Sequence, residues 1–254
     1  MSADLLDRHA HRQVVLEGAC NCRDLGGLRT TDGRRTRRGV VYRSDALATL
    51  TSADQNTLAE LGIRAVYDLR TVEERARAPN QLPAAAPAQR AFGFIPRGNH
   101  EMFVGVNTGQ WSPEATRAAM LAQYERLILD HTECLVGVYR GLLASAGAPA
   151  VIHCASGKDR TGIACAVLLL AVGVAREEVI EDYVISNFQR RRVDLFHGAP
   201  PAAAVEHIMA ASADYLLAAL AASERAFGSF DAYLAQGVGL SDLDRVALAH
   251  FLVD

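Results

Sequence analysis

The segment from Ala150 to Gly162, with the sequence AVIHCASGKDRTG, most constrains how this chain folds. Val151 and Ile152 follow Pro149 and predict a short buried strand. The uncharged run from Ile163 to Val172 predicts a buried helix, so a short polar loop must join the strand directly to a helix N-terminus. Unpaired N–H groups and the positive end of the helix dipole favour an anion at such a place. The sequence therefore predicts an anion-binding loop between a strand and a helix.

Bulk composition limits the classes of protein to which the chain can belong. Its 254 residues are 50% hydrophobic and 22% charged, with a formal net charge of −3, which is typical of a globular protein. This balance gives no drive towards nucleic acid. The longest uncharged apolar run, residues 163–175, is too short for the roughly 20 residues that span a bilayer. We expect one domain, residues 1–254, without stable membrane insertion and with an oligomeric state that the sequence leaves open.

The N-terminus and the cysteines bear on location. Residues 1–12 carry charges of both signs and no apolar core, so no signal peptide is predicted. The 5 cysteines are an odd number and do not suggest a disulfide framework. We therefore expect a reducing, cytoplasmic location, although export without a signal stays open.

Local patterns predict strands early in the chain and helices late. Helix-capping residues start one helix at Thr51 or Ser52, which Gly62 ends, and another at Thr71. Apolar runs predict strands, and helical spacing predicts further helices. The strands are at 14–16, 40–42, 63–69 and 91–95, and the helices at 114–129, 134–143, 175–192, 203–222, 230–234 and 241–253. This order predicts an α/β fold with a central, mostly parallel sheet and a helical C-terminal part at 200–254. Residues 98–111 show no clear period, so we expect a lid or insert within residues 79–130.

Two cysteines are followed by an arginine six positions later, but only one pair fits a reactive site. Between Cys134 and Arg140 the chain is apolar and helical in pattern, which indicates a core cysteine. Between Cys154 and Arg160 it is polar and contains Gly157. Here converging N–H groups favour a thiolate on Cys154, and a guanidinium can bind two phosphate oxygens. The sequence therefore favours Cys154 as a nucleophile.

Lys158 and Asp159 narrow the kind of phosphate site. Lys158 is the only lysine in the chain, and it lies inside this loop. Asp159, not Ser or Thr, follows Gly157-Lys158, and position 152 is Ile rather than Gly, which excludes an ATP-type phosphate loop.

The segment from His153 to Gly162 resembles the signature loop of the protein tyrosine phosphatase superfamily. Its Gly-Lys-Asp-Arg core is similar to that of the atypical bacterial and fungal branch, with combined tyrosine/serine and phosphoinositide phosphatase activity. Further segments resemble the same branch: 21–27, 42–47, 67–70 and 182–187. Cys22 stands where the family usually has an aromatic residue. The resemblance implies a protein tyrosine phosphatase-like α/β fold.

The resemblance, with the chemistry of each side chain, implies roles for the loop residues. Cys154 would be the nucleophile, and Arg160 would bind the phosphate and stabilise the transition state. The backbone N–H groups of residues 155–160, which include Ala155, Ser156 and Gly157, would form the cradle. Lys158 would add positive charge at the rim, Thr161 would donate a hydrogen bond to the sulfur, and His153 would orient the loop.

The general acid has two candidates. The resemblance implies Asp159, inside the signature loop, whereas Asp68 lies at the C-terminal end of a predicted core strand, where ligands gather. For Asp68 a structural pair with a nearby arginine is an equal alternative. Arg23, Asp24 and Arg43 are candidates to support the loop, with ordinary turn or surface roles equally open.

No metal or cofactor is expected. Cys20 and Cys22 form half of a zinc-site pattern, but no second Cys/His pair has suitable spacing.

The predicted function is cysteine-dependent hydrolysis of phosphate monoesters. The expected partner is a phosphorylated protein, with phosphotyrosine first and phosphoserine or phosphothreonine possible, or a phosphoinositide. Two other classes stay open: a rhodanese-like sulfur transferase and an inactive phosphate- or phosphoinositide-binding module.

Overall fold

A computed structural model describes residues 2–85, 87–96, 98–189, 196–197 and 200–254. Its five-stranded sheet has the order β1-β2-β5-β3-β4. The strands are β1 Arg23–Asp24, β2 Val41–Ser44, β3 Ala65–Asp68, β4 Ala88–Ala91 and β5 Ala150–His153. β1 is antiparallel to β2, and the other neighbours are parallel. The predicted α/β architecture with a mostly parallel sheet is confirmed.

The central strand β5 places the loop that follows it at one edge of the sheet. All four residues of β5, and all four of β2 and β3, are buried. The last residues of these strands lie in register, with His153 paired to both Ser44 and Asp68. Because the strands are parallel, the segments after all three meet at this edge.

Twelve helices and two short helical turns occur in the described residues. The helices are α1 Ser2–His9, α2 Ser52–Glu60, α3 Val72–Arg77, α4 Asn99–Asn107, α5 Pro113–Leu129, α6 Thr132–Ala144, α7 Asp159–Ala171, α8 Arg176–Gln189, α9 Ala202–Met209, α10 Ala213–Phe227, α11 Phe230–Ala232 and α12 Asp242–Leu252. The turns are Ala10–Arg12 and Tyr233–Gly237. Thr51 and Thr71 start α2 and α3 with capping boxes. The box at Thr71 was predicted, and of the two caps predicted for α2 the structure has Thr51.

Several local predictions were wrong. Residues 14–16 form no strand, and the predicted strand at 91–95 lies earlier, at Ala88–Ala91. The segment 98–111, predicted to be irregular, contains α4. The helix predicted over 203–222 is two helices, α9 and α10. The predicted end of the 175–192 helix lies outside the described residues.

Among the described residues, no single helix has both the length and the apolarity to cross a membrane. In that described part, one pair of helices, α9 and α10 with a bend of 54° between them, meets those criteria when taken together.

Candidate active site

The loop after β5 is held by its carbonyl groups. The backbone N–H of Ala46 donates to the carbonyl of residue 155 at 3.1 Å. The Asn21 side-chain amide donates to the carbonyls of 156 and 157, and Arg43 Nη2 donates to that of 157 at 2.8 Å. In a trans peptide the N–H points opposite to the carbonyl, and the described chain has no cis bond. The N–H groups of 156–158 therefore face away from these supports, as an anion cradle requires.

Gly157 is required for the close approach of the loop to β2. Its φ is +64°, a left-handed conformation that favours glycine. A Cβ at this position would lie 2.6 Å from the carbonyl oxygen of Ser44. The next residue, Asp45, accepts hydrogen bonds from the backbone N–H groups of Cys20 and Asn21. The turn that carries Asn21 is thereby fixed beside the loop.

Cys154 begins this loop and is buried at the C-terminal end of β5. Burial raises the pKa of Cys22, Cys134 and Cys165 to about 12, which leaves these thiols protonated and poorly nucleophilic. Cys134 is buried, as predicted.

Arg160 is fixed by a carboxylate that the sequence did not single out. Its Nη1 and Nη2 donate to the two carboxylate oxygens of Glu74 at 2.7 and 2.8 Å. Nη1 also donates to the carbonyls of Leu69 and Phe94. Burial opposes the charge, but hydrogen bonds to Glu74 and nearby negative groups raise the pKa of Arg160 above its usual value. The guanidinium is held charged beside the loop.

Glu74 also accepts the N–H of Thr71 in the capping box of α3. The capping signal was visible in the sequence, but its pairing with Arg160 links residues 86 positions apart.

His153 and Asp68 belong to a buried structural network. His153 Nε2 lies 3.4 Å from Asp68 Oδ2, and Nδ1 lies 3.3 Å from the carbonyl oxygen of Cys154. Both oxygens of Asp68 accept from Arg70, and Asn80 donates to one of them. Burial would raise the pKa of Asp68, but hydrogen bonds from His153 and Arg70 hold it below its usual value. Asp68 has the structural arginine pair named above as its alternative role.

Asp159, at the first position of α7, contacts a pair of buried phenols. The Tyr124 hydroxyl donates to Asp159 Oδ1, and the hydroxyls of Tyr124 and Tyr183 are hydrogen-bonded to each other. Tyr124 is on α5 and Tyr183 on α8.

Two expectations about neighbouring loop residues were wrong. Lys158 is not at the rim, because its side chain is buried and Nζ donates to the carbonyls of Ile208 and Ala210, at the end of α9. Thr161 makes no hydrogen bond to the sulfur, since its buried hydroxyl has no partner among the described residues.

Asp182 gathers three buried arginines behind the loop. Its Oδ1 accepts from Arg12 and Arg23, and its Oδ2 accepts from Arg43 at 2.6 Å. Burial would raise the pKa of Asp182, but the three guanidinium charges hold it well below its usual value. Burial and the charge of Arg43 lower the pKa of Arg23 to about 10.

This group, the Asp182 cluster, connects directly to the loop. Arg43 donates to the carbonyl of Gly157, and Arg23 donates to the side chain of Asn21. Asp24 instead accepts from the N–H groups of Gly26 and Gly39 and stabilises a turn. Of the three candidate supports, Arg43 bonds the loop directly, Arg23 acts on it through Asn21, and Asp24 stabilises a separate turn.

A cavity of about 280 Å³ lies over the loop. Its polar floor comes from the loop and Glu74, and its walls are mostly apolar side chains of α4, α5 and α9. The apolar wall residues on these helices are Met102, Phe103, Met120, Ile208 and Met209, and the polar ones are Asn99 and Gln123. Segments 79–130 and 200–254 thus both border the site. Within the described ranges, no group of three or more His, Cys, Asp or Glu side chains could hold a metal ion.

Sequence comparisons connect this geometry to known proteins. The sequence model of the tyrosine phosphatase family matches residues 14–254. A putative tyrosine-protein phosphatase of Cupriavidus necator is 32% identical over 92% of this chain and 85% of its own length. The triple specificity protein phosphatase PtpB of Mycobacterium tuberculosis is 31% identical over 68% of each chain. The crystal structure of P. aeruginosa TpbA aligns with 71% of this chain and 86% of its own at 18% identity and a TM-score of 0.35.

Proposed function

Because the chain belongs to the tyrosine phosphatase family, we propose that it hydrolyses phosphate monoesters through a cysteinyl-phosphate formed on Cys154. The observation that carries the proposal is the direction of the loop backbone. Its carbonyls at 155–157 are held by Asn21, Arg43 and Ala46, so its N–H groups point away from these supports, the direction that binding of phosphate oxygens requires. Cys154 begins this loop and Arg160 lies at its end.

Each step of the reaction has a group to perform it. The Cys154 thiolate attacks phosphorus, the bond from phosphorus to the leaving oxygen breaks, and that oxygen takes a proton from the general acid. Water then attacks phosphorus and gives a proton to the same carboxylate. The sulfur–phosphorus bond breaks, which releases inorganic phosphate and restores the thiolate. The loop N–H groups and Arg160 stabilise the charge on the phosphoryl oxygens throughout.

We assign the general acid to Asp159 rather than Asp68. Asp159 lines the cavity, and about a third of its side chain is exposed. Asp68 is almost fully buried, and Arg70 occupies both of its oxygens. A carboxylate held ionised by an arginine is a poor proton donor.

The apolar walls of the cavity favour an aryl phosphate, so phosphotyrosine is the leading substrate. Met102, Phe103 and Met120 can contact an aromatic ring while the phosphate reaches the loop. A phosphoinositide is the second candidate. The positive charge expected at the rim, which would favour a multiply phosphorylated headgroup, is absent there, because Lys158 is bonded to the carbonyls of Ile208 and Ala210 at the end of α9. This weakens that choice.

We also propose that residues 1–254 form one catalytic domain, with 79–130 and 200–254 as its cover. Support comes from the main core cluster, which runs from Leu25 to Val253. The site and its supports draw on residues from Arg12 to Met209.

The test is release of inorganic phosphate from a phosphotyrosyl peptide and from a phosphoinositide. Cys154→Ser should abolish release, whereas Cys134→Ser, which changes the other cysteine with an arginine six positions later, should retain it. Release that survives Cys154→Ser would refute the cysteinyl-phosphate. A persulfide on Cys154, seen by intact mass, would support sulfur transfer. Tight phosphate binding without release would support an inactive binding module.

A further inference from the structure

The hydrogen bonds around Asp159 are directional. The carboxylate accepts the Tyr124 proton at Oδ1. Since a phenol has only one proton, Tyr124 cannot also donate to Tyr183. Tyr183 must therefore donate to the oxygen of Tyr124. The two phenols form a chain that runs from Tyr183 through Tyr124 to Asp159.

Both phenols remain protonated in the neutral pH range. Burial, together with the negative charge of Asp159, raises the pKa of Tyr124 and Tyr183 well above the usual value. Their rings pack edge to face, with centroids 6.1 Å apart, and Tyr215 packs against Tyr124 at 5.4 Å. The donor to Asp159 is thus held in one position by packing as well as by hydrogen bonds.

The two oxygens of Asp159 differ in their surroundings. Oδ1 accepts from Tyr124 and lies 3.3 Å from Nζ of Lys158. Oδ2 receives no hydrogen bond from any side chain in the described part of the protein. A proton added to this carboxyl group is therefore favoured on Oδ2, because donors already occupy Oδ1.

We propose that Tyr124 is a positioning residue for the acid step: it holds Oδ1 of Asp159 so that the proton on Oδ2 is presented to the leaving oxygen, and Tyr183 orients Tyr124. This inference rests on the proposed function, in which Asp159 is the general acid. It adds that the acid is oriented from α5, a helix that also forms a wall of the cavity.

The test compares two substrates that differ in their need for an acid. Phenyl phosphate has a poor leaving group, and p-nitrophenyl phosphate has an activated one. Loss of acid orientation should slow phenyl phosphate more, whereas general damage to the fold slows both equally. For Tyr124→Phe we expect kcat to fall about 10-fold on phenyl phosphate and about twofold on p-nitrophenyl phosphate, a fraction of the full acid effect.

Tyr233→Phe is the matched control. Tyr233 is fully buried, and its hydroxyl donates at 2.7 Å to the carbonyl of Ile128, which is also on α5. Its loss should leave the ratio of the two kcat values unchanged. Tyr183→Phe should shift the ratio in the same direction as Tyr124→Phe but less, and it serves as the test if Tyr124→Phe does not fold.

Asp159→Asn separates the two levels of the proposal. If Asp159→Asn discriminates strongly between the substrates and Tyr124→Phe does not, the positioning role is wrong and the acid assignment stands. If Asp159→Asn slows both substrates equally, the acid assignment fails and the positioning role with it. If both hold, adding Tyr124→Phe to Asp159→Asn should cause no further discrimination.

Discussion

Replacing Glu74 by glutamine tests whether Arg160 needs its carboxylate partner for catalysis. Oε2 of Glu74 accepts from Thr71 N and Arg160 Nη1, and Oε1 accepts from Arg160 Nη2. Glutamine can place its oxygen at the first position and keep two of these bonds. Its NH₂ group then faces Nη2, donor against donor, so one charge-assisted bond is lost.

The expected loss follows from that one bond. A hydrogen bond to a charged group contributes about 1.5–3 kcal/mol. In the unchanged protein this bond helps to hold Arg160 against the phosphoryl oxygens. Losing that energy from the transition state should lower kcat/KM about 10- to 100-fold. Stability should change less, by about 1 kcal/mol, because Arg160 and Glu74 are 11% and 35% exposed and glutamine also suits the capping position.

The assay is steady-state kcat/KM on an aryl phosphate, with thermal unfolding on the same samples. Glu73→Gln is the matched control. It removes a carboxylate from the same helical turn, but the ion pair of Arg160 is with Glu74 and not with Glu73. Equal kcat/KM for the two variants would refute the reasoning. So would tighter inhibition by inorganic phosphate in Glu74→Gln, because it would mean that Glu74 restrains Arg160 rather than positioning it.

Substitutions at three other positions should change the free energy of unfolding measurably. Gly157→Ala should lower the free energy of unfolding by more than about 1–2 kcal/mol, which is what an alanine in the left-handed conformation costs by itself. The control is Gly173→Ala, because φ is +85° there but no atom lies within 4 Å of a Cβ. Equal losses for the two variants in denaturant unfolding would contradict the close approach to Ser44. Asp182→Asn should lower the free energy of unfolding by about 3–5 kcal/mol, because it leaves buried guanidinium groups without a counter-charge; a loss below about 1 kcal/mol would contradict this. The pKa of Asp68 is depressed in the folded state, so the stability it contributes is complete above its unfolded pKa of about 4 and is lost as pH falls towards its folded pKa. Between pH 5 and pH 3 the Asp68→Asn variant should therefore lose less stability than the unchanged protein.

Local signals made part of the fold predictable. Thr51 and Thr71 start helices through bonds within four residues, so both helix starts could be located from the sequence to within one residue. The anion loop could be located as well, because a strand, a glycine and a helix start follow one another within 13 residues.

Helix ends set by distant side chains could not be predicted. The residues between α9 and α10 include neither Gly nor Pro. At the break, Lys158 Nζ donates to the carbonyls of Ile208 and Ala210. The Asn187 side chain donates to the carbonyl of Ala211 and accepts from its N–H. These partners are 24 to 52 positions away along the chain.

The same limit applies to the site. Cys154, Asp159 and Arg160 lie in one continuous segment, so motif position was enough to select them as candidates. Glu74 and Tyr124 act on that segment from other elements, and only folding brings them to it. The strand predicted at 14–16 failed for a simpler reason: three apolar residues are too few to establish a period, and Val15 is largely exposed.

The Asp182 cluster also has a consequence for the order of events during synthesis. Arg12, Arg23 and Arg43 leave the ribosome early, but their shared carboxylate follows 139 to 170 residues later. Until α8 emerges, the three arginines behind the phosphate loop lack the carboxylate that pairs with them, and burying them without it is costly. A nascent chain that already contains Cys154 and Arg160 therefore still lacks the carboxylate that neutralises the arginines behind the loop, and we expect phosphatase activity to require that α8 has joined the fold.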